Sequence, residues 1–232
     1  MLICLFRAES QSIDSLNTAK NSTFMKQEER EMIYEINRLR SNPGSYLEYI
    51  VPLLQEQENI VKKFGKGSRD YGLLFRTETE NGIQKTYIDT NWYYSNEEKL
   101  NALRSLVDEL KNLAPLRILK PDRGIYNAAQ KHAKDQEAHQ WTLLHTGSDG
   151  SEPWDRIKKF SPAMMSTGEN IAGSYPKPSP RDIVIQLLVD DGVPGYGHRR
   201  NLLDPVWTHV ACLTDGLHES MYRWIQDFGE KN

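Results

Sequence analysis

Cysteine is almost absent. Cys4 and Cys212 are the two in 232 residues, so no disulfide framework holds this chain together. Cys4 falls in an N-terminal tail, and Cys212 reads as a small buried apolar residue. Basic excess is absent too. A formal net charge of −3 with both signs interspersed leaves no face for a phosphate backbone, which excludes nucleic acid as an expected partner. No apolar run approaches the ~18 residues that span a bilayer, so no transmembrane segment is expected. What is present suits a globular chain: 38% hydrophobic and 26% charged residues, in a length that suits one domain able to bury roughly 70% of its extended surface.

Leu2-Ile3-Cys4-Leu5-Phe6 has the character of the end of a signal-peptide core. It is shorter than the ~7–15 residues of a full core and lacks a basic start. A leader clipped by the choice of start codon is favoured over a merely greasy tail. Residues 9–23, rich in Ser, Asn and Thr, read as a disordered linker. Residues 1–23 are therefore taken as leader or tail, and 24–232 as a single domain.

From Lys26 a helical pattern sets in, with Met32, Ile33, Ile36 and Leu39 on one stripe. Asn42-Pro43-Gly44 interrupts it, and Tyr46, Leu47, Tyr49 and Ile50 resume a short amphipathic segment. Residues 51–96 fit the scheme poorly and read as an insertion. Within it, Leu73–Thr77 and Thr86–Asp89 predict strands joined through Asn81-Gly82, a favoured hairpin pair. Residues 97–113 predict a helix striped by Leu100, Leu103, Leu106, Val107 and Leu110. A second helix opens at Pro121-Asp122 and runs to about Gln140, with Ile125, Ala128, Ala129, His132, Ala133 and Gln136 on one close-packing face. Residues 141–167 read as loop-rich, with Asp149–Glu152 as a turn capping the next helix. Glu169–Ala172 predicts a short strand and Ile183–Asp191 a helix ended by Gly192. Val206–Thr214 and Met221–Phe228 predict two closing strands around Asp215-Gly216. Helices, a few antiparallel strands and no βαβ repeat give an α+β class.

Three loop segments carry chemically capable residues: His145-Thr146-Gly147-Ser148-Asp149-Gly150, Gly168-Glu169-Asn170 and Gly197-His198-Arg199-Arg200-Asn201. Glycine beside a histidine or carboxylate lets backbone approach closely. Two imidazoles and a carboxylate match the ligand set of a divalent metal such as Zn²⁺. The histidines are far apart in sequence and form no local zinc motif, so capped loop residues are the competing reading. His132 reads as a hydrogen-bonded core histidine, His139 as a surface partner of Asp135, and His209 and His218 as structural or exposed. Ser148 with Asp149 and His145 lacks the supporting motif of a hydrolytic triad. Asp149–Glu152 falls short of a calcium loop.

These three segments, in this order, resemble the signatures of the CAP superfamily, which includes cysteine-rich secretory proteins, venom antigen 5 and plant pathogenesis-related-1 proteins. The match covers roughly residues 26–50 and 116–228. His145 is similar to the family's first cavity histidine. Gly168-Glu169-Asn170-Ile171-Ala172 resembles its Gly-Glu-Asn strand, and Gly197–Leu203 resembles the Gly-His-Arg-x-Asn-Ile/Leu-Leu signature of bacterial members. The resemblance implies a three-layer αβα sandwich with a small antiparallel sheet. It also implies a cleft lined by His145, Glu169 and His198, with a second acid at the end of a helix. A gapless comparison and helical phase place that acid at Asp191, with Asp190 as second choice.

Three functions follow as expectations. The first is an exported binding module that takes a divalent metal, with His145 and His198 as ligands, or a small-molecule or lipid ligand. The second is a metal-dependent hydrolase, with Glu169 as general base and Asp191 assisting. The third is a protein-interaction module acting through residues 51–96. Family members are mostly secreted or exported, so a secreted, periplasmic or cell-surface location is expected.

Overall fold

The computed structural model describes residues 13–67, 72–80, 83–91, 95–139, 143–174, 177–216 and 222–231. The stretch Leu2–Phe6 with Cys4, the pair Asn81-Gly82 and His218 lie outside the described residues. The chain divides into two units. One comprises Met1–Pro43, Ala114–Leu187 and Arg200–Asn232, and the other Gly44–Leu113 and Leu188–Arg199.

The first unit begins with α1 (Ile13–Leu16) and α2 (Gln27–Ser41). Residues 13–22, read from composition as linker, make a helical turn and then reverse, with Leu16 and Ala19 buried. Thr18 donates to the Leu119 carbonyl at 2.7 Å, which ties this stretch down. The stripe of α2 is buried as its spacing predicts, but Glu29 and Asn37 are buried beside it. Both are satisfied: Glu29 accepts from the Tyr126 hydroxyl and the Thr214 amide, and Asn37 clamps the Leu119 backbone.

The sheet has the order β3-β5-β6-β4, built from β3 (Lys120–Pro121), β4 (Ser166–Ser174), β5 (His209–Gly216) and β6 (Tyr222–Glu230). β5, β6 and β4 run antiparallel, while β3 adds two residues parallel to β5. The sheet is thus mixed rather than antiparallel throughout, because a two-residue edge strand leaves no periodic trace in the sequence.

Alternation along the strands sorts side chains between two faces. Trp224, Gln226 and Phe228 share one face, and Gln226 reaches Met32 of α2 there. Arg223, Ile225 and Asp227 share the other. On that side Arg223 meets Gln136 and the Ala133 carbonyl of α5 (Arg123–Ala138), and α6 (Pro153–Phe160) packs against β4. Helices cover both faces, which makes this unit a three-layer αβα sandwich of the α+β class. α6 lies inside the stretch read as loop-rich. Pro153 opens it, and a capping box between Glu152 and Asp155 closes its first turn.

The second unit pairs α3 (Leu47–Phe64) with α4 (Asn96–Asn112). Leu100, Leu103, Leu106 and Leu110 of α4 are buried as their spacing predicts, and Gln57 of α3 donates to the Asn96 carbonyl at 2.9 Å. Between the helices, β1 (Gly72–Glu80) and β2 (Ile83–Asn91) form an antiparallel hairpin with Glu80 opposite Ile83. Two further helices are α7 (Pro180–Val189) and α8 (Gly197–Leu203), each with residues in both units. α8 occupies a segment that reads as loop, because its seven residues are too few to display a helical period.

Candidate functional site

In the first unit, β4 carries Glu169 on the face covered by α5 and α6. Its side chain is 1% exposed and each oxygen has a strong partner. His145 donates from Nδ1 to Oε1 at 2.8 Å, and Arg156 of α6 donates from Nη2 to Oε2 at 2.9 Å. Arg156 is itself buried, and its Nη1 donates to the Ser151 carbonyl. Burial works to raise the Glu169 pKa, but the His145 hydrogen bond and the Arg156 charge outweigh it and hold the carboxyl below its usual value. Glu169 is therefore ionised, and the carboxylate assigns the His145 proton to Nδ1. In the neutral ring the lone pair then lies on Nε2. The His145 side chain is 48% exposed, so the ring joins a buried charge to solvent.

The glycine before Glu169 is needed for close approach. A Cβ at Gly168 would stand 3.0 Å from Asn201 Oδ1 and 3.0 Å from the Trp207 ring. Asn201 uses that proximity, donating to the Glu169 carbonyl at 3.1 Å and to Asn170 Oδ1 at 2.8 Å. Trp207 in turn donates to the Asn201 carbonyl. The Gly-Glu-Asn strand and the Asn of the third motif thus lock one another, which sets the backbone that carries Glu169.

Behind Glu169 lies His132, fully buried on α5. Its Nε2 sits 2.8 Å from the Leu144 carbonyl, and Gln136 also donates to that carbonyl. Burial lowers its pKa, with the Glu169 charge opposing. These contacts fasten the chain just ahead of His145, so His132 is the core histidine its helical position implies. Ser148 gives its hydroxyl and its amide to Asp135, not to His145. The Ser148 triad has no such geometry.

In the second unit the histidine is His198, at the start of α8. It donates from Nδ1 to Asp190 Oδ1 at 2.7 Å. Asp190 Oδ2 accepts the His198 amide at 2.9 Å and the Arg199 amide at 3.3 Å, so one carboxylate orients the ring and satisfies the opening N–H groups of α8. Helical phase points instead to Asp191. The helix stops at Val189, and Asp190 turns into the left-handed region with φ 51°, a conformation Asp tolerates. That reversal turns Asp190 inward, 4% exposed, and leaves Asp191 half-buried in the next turn. Phase arguments hold only while the helix continues.

The structure therefore brings His145 to Glu169, and His198 to Asp190. Each ring is gripped at Nδ1 by a carboxylate, the arrangement that orients metal-binding histidines, and in this respect their donor chemistry fits a divalent cation. Among the described residues, no three or more His, Cys, Asp or Glu side chains gather into a metal-holding group. Sequence reasoning misses Arg156 and Asn201 and ranks Asp190 second. Neither Arg156 nor Asn201 carries a sequence signal, since their contacts with Glu169 arise from the tertiary fold.

A sheet between helices, with Gly-Glu-Asn on one of its strands, is the architecture that the resemblance implies. The family model described as the Cysteine-rich secretory protein family (CAP) matches residues 97–228, more than half of the chain, and the chain belongs to that family. It is 28% identical over 132 residues to the uncharacterized protein YkwD of Bacillus subtilis (strain 168), covering 57% of this chain and 46% of the relative. The chain thus spans about half the length of that relative. Among solved structures it is similar to an outer surface protein from Borrelia burgdorferi, with TM-score 0.44 and 20% identity over 59% of this chain and 95% of that one. An extracellular protein containing a SCP domain from Bacillus anthracis str. Ames gives TM-score 0.39 and 17% identity over 75% and 71%. Among the described residues, no helix is long and apolar enough to cross a membrane.

Proposed function

We propose that this chain is an exported CAP domain that binds a small polar ligand or a divalent cation through its carboxylate-held histidines, without turning the ligand over. One observation carries the preference for binding over hydrolysis: both oxygens of Glu169 are engaged, one by His145 and one by buried Arg156. A general base works best with a pKa near the operating pH, and these partners push Glu169 the other way. The same contacts make a rigid, preorganised anchor for His145, which is what a binding site needs.

Each unit has its own histidine that would ligate a cation such as Zn²⁺, His145 in the first and His198 in the second. Bound there, the cation would act as a Lewis acid toward the ligand or a water. The chain's own part is to hold each ring by its Nδ1, through Glu169 in the first unit and Asp190 in the second. Export is supported by the secretory description of the family. Fractionation of cells that express the protein tests it, since the protein is expected in the medium or the cell envelope and not in the cytoplasm.

Titration of purified protein with Zn²⁺, followed by metal analysis, tests the binding reading. Uptake is expected in the wild type, and at least a tenfold weakening in His145→Ala and in His198→Ala, the scale of losing one ligand or its orienting partner. Uptake unchanged in both variants removes the cation. A screen of peptide and ester substrates addresses the rival: turnover that vanishes in Glu169→Gln would replace the binding reading with a hydrolase.

A further inference from the structure

Glu169 has a neighbour that its two partners do not account for. The β4–β6 register sets Asp227 directly opposite Glu169, and directly opposed residues in an antiparallel pair present their side chains on one face, about 5 Å apart at Cβ. Asp227 is 1% exposed, and its Oδ1 meets no hydrogen-bond donor. The charged groups acting on it are Glu169 from β4 and Arg156 from α6. On its other side β5 presents Ala211. From α5 the titratable ring is His132, whose Nε2 is taken up at the Leu144 carbonyl.

Two carboxyls in a dry pocket cannot both ionise against one guanidinium. Arg156 has already given Nη2 to Glu169 and Nη1 to Ser151. Glu169 also takes the His145 N–H. Two donors, His145 Nδ1 and Arg156 Nη2, are thus given to Glu169, while Asp227 Oδ1 receives none. The proton belongs on the carboxyl that lacks a donor.

We propose that Asp227 is a neutral carboxylic acid that donates its O–H to Glu169 and so positions the Glu169 carboxylate under His145. The direction of its titration agrees: burial, followed by the Glu169 charge, pushes the Asp227 pKa well above the carboxylate range. Asp227 is a positioning residue, since it acts through Glu169. The inference goes beyond the ligand-binding reading and stands or falls without it.

Asp227→Asn supplies the test, because a carboxamide keeps an N–H donor and cannot ionise. A carboxyl whose pKa is raised on folding contributes stability that is full below its unfolded value of about 3.9 and is lost as pH rises toward the folded value. The wild type therefore bears this loss and the variant does not. Melting temperatures measured from about pH 4 to about pH 8 should show Asp227→Asn gaining on the wild type by several degrees as pH rises. A gap that stays flat, or that runs the other way because an ionised Asp227 was paired with Arg156, overturns the proposal. Side-chain carboxyl ¹³C shifts of the wild type, assigned through the backbone, decide the matter independently of the variant's folding. Asp227 should show the protonated shift at neutral pH, and an ionised shift there overturns the proposal. A merely structural role for Asp227 would not move that signal.

Discussion

Arg156→Met is expected to lower stability by about 3–5 kcal/mol, the cost of removing one partner from a buried ion pair. Methionine preserves much of the stem volume, so the loss is electrostatic rather than a cavity. Arg156 and Glu169 are each 1% exposed at the side chain. Without the guanidinium, Glu169 keeps His145 but holds its charge in a site whose burial opposes ionisation. At roughly 2–4 °C per kcal/mol for a chain of this size, the melting temperature should fall by about 6–20 °C. The deficit has a pH signature. Glu169 is held below its ordinary pKa, so its ion pair contributes stability above the unfolded value of about 4.3, and this is lost as pH falls through the folded value. The variant's deficit should accordingly shrink in acid, where a protonated Glu169 no longer needs a counter-ion. A thermal melt of Arg156→Met/Glu169→Gln completes the cycle. The double variant should recover a large part of the loss, and full additivity of the two changes would show that the residues act independently.

The fold is legible in the sequence where a period runs long enough to be counted. The stripes of α2, α4 and α5 and the two closing strands each display several repeats, so their buried residues follow from spacing alone. β3 and α8 display fewer than two repeats, and no pattern argument reaches them. The hairpin is visible for another reason: β-branched and aromatic runs flank a turn pair, and β1 and β2 meet in that register. Residues 13–22 mislead because polar composition hides two anchors, Leu16 and Ala19, and tertiary hydrogen bonds to Leu119 and Asn37.

The site divides in the same way. His145, Glu169 and His198 stand beside glycines in loops and short strands, where a capable side chain has no local structural task. Their supports are different. Arg156 and Asn201 sit on helices where arginine and asparagine are commonplace, and only the tertiary fold turns them toward Glu169. Asp227 does leave a trace: in Trp224-Ile225-Gln226-Asp227-Phe228 it shares a strand face with Ile225, so alternation alone places a carboxyl among buried residues. The second acid escapes for a geometric reason, since Asp190 leaves the helix one residue before the phase argument would have it turn outward.

Arg199→Leu should be the most damaging single change in the second unit. Arg199 is 2% exposed, and its guanidinium donates to the Leu188, Val189 and Ala102 carbonyls and to the Ser105 hydroxyl, at 2.6 to 3.0 Å. Leu188 and Val189 end α7, so their carbonyls have no partner further along the helix. Arg199 acts as a remote C-cap, and its charge suits the negative end of the helix dipole. Burial lowers its pKa, with Glu109 opposing, but an arginine remains charged. Leucine fills the space and leaves two buried carbonyls unpaired at roughly 1–3 kcal/mol each, a total loss of about 2–6 kcal/mol. The consequence reaches His198. The turn that follows Val189 carries Asp190 at φ 51° and Tyr196 at φ 51°, and Arg199 lies 4.0 Å from the Tyr196 ring. Strained conformations of this kind persist only while their surroundings over-determine them. Once α7 frays, Asp190 loses the position from which it grips His198, and the Nδ1 proton resonance of that ring should broaden or disappear. Arg199→Lys separates charge from shape: it restores the positive end-charge but not the planar fork that reaches several carbonyls, so about half the stability should return while the His198 signal stays altered. A lysine variant indistinguishable from wild type in both readouts would show that charge alone holds this corner.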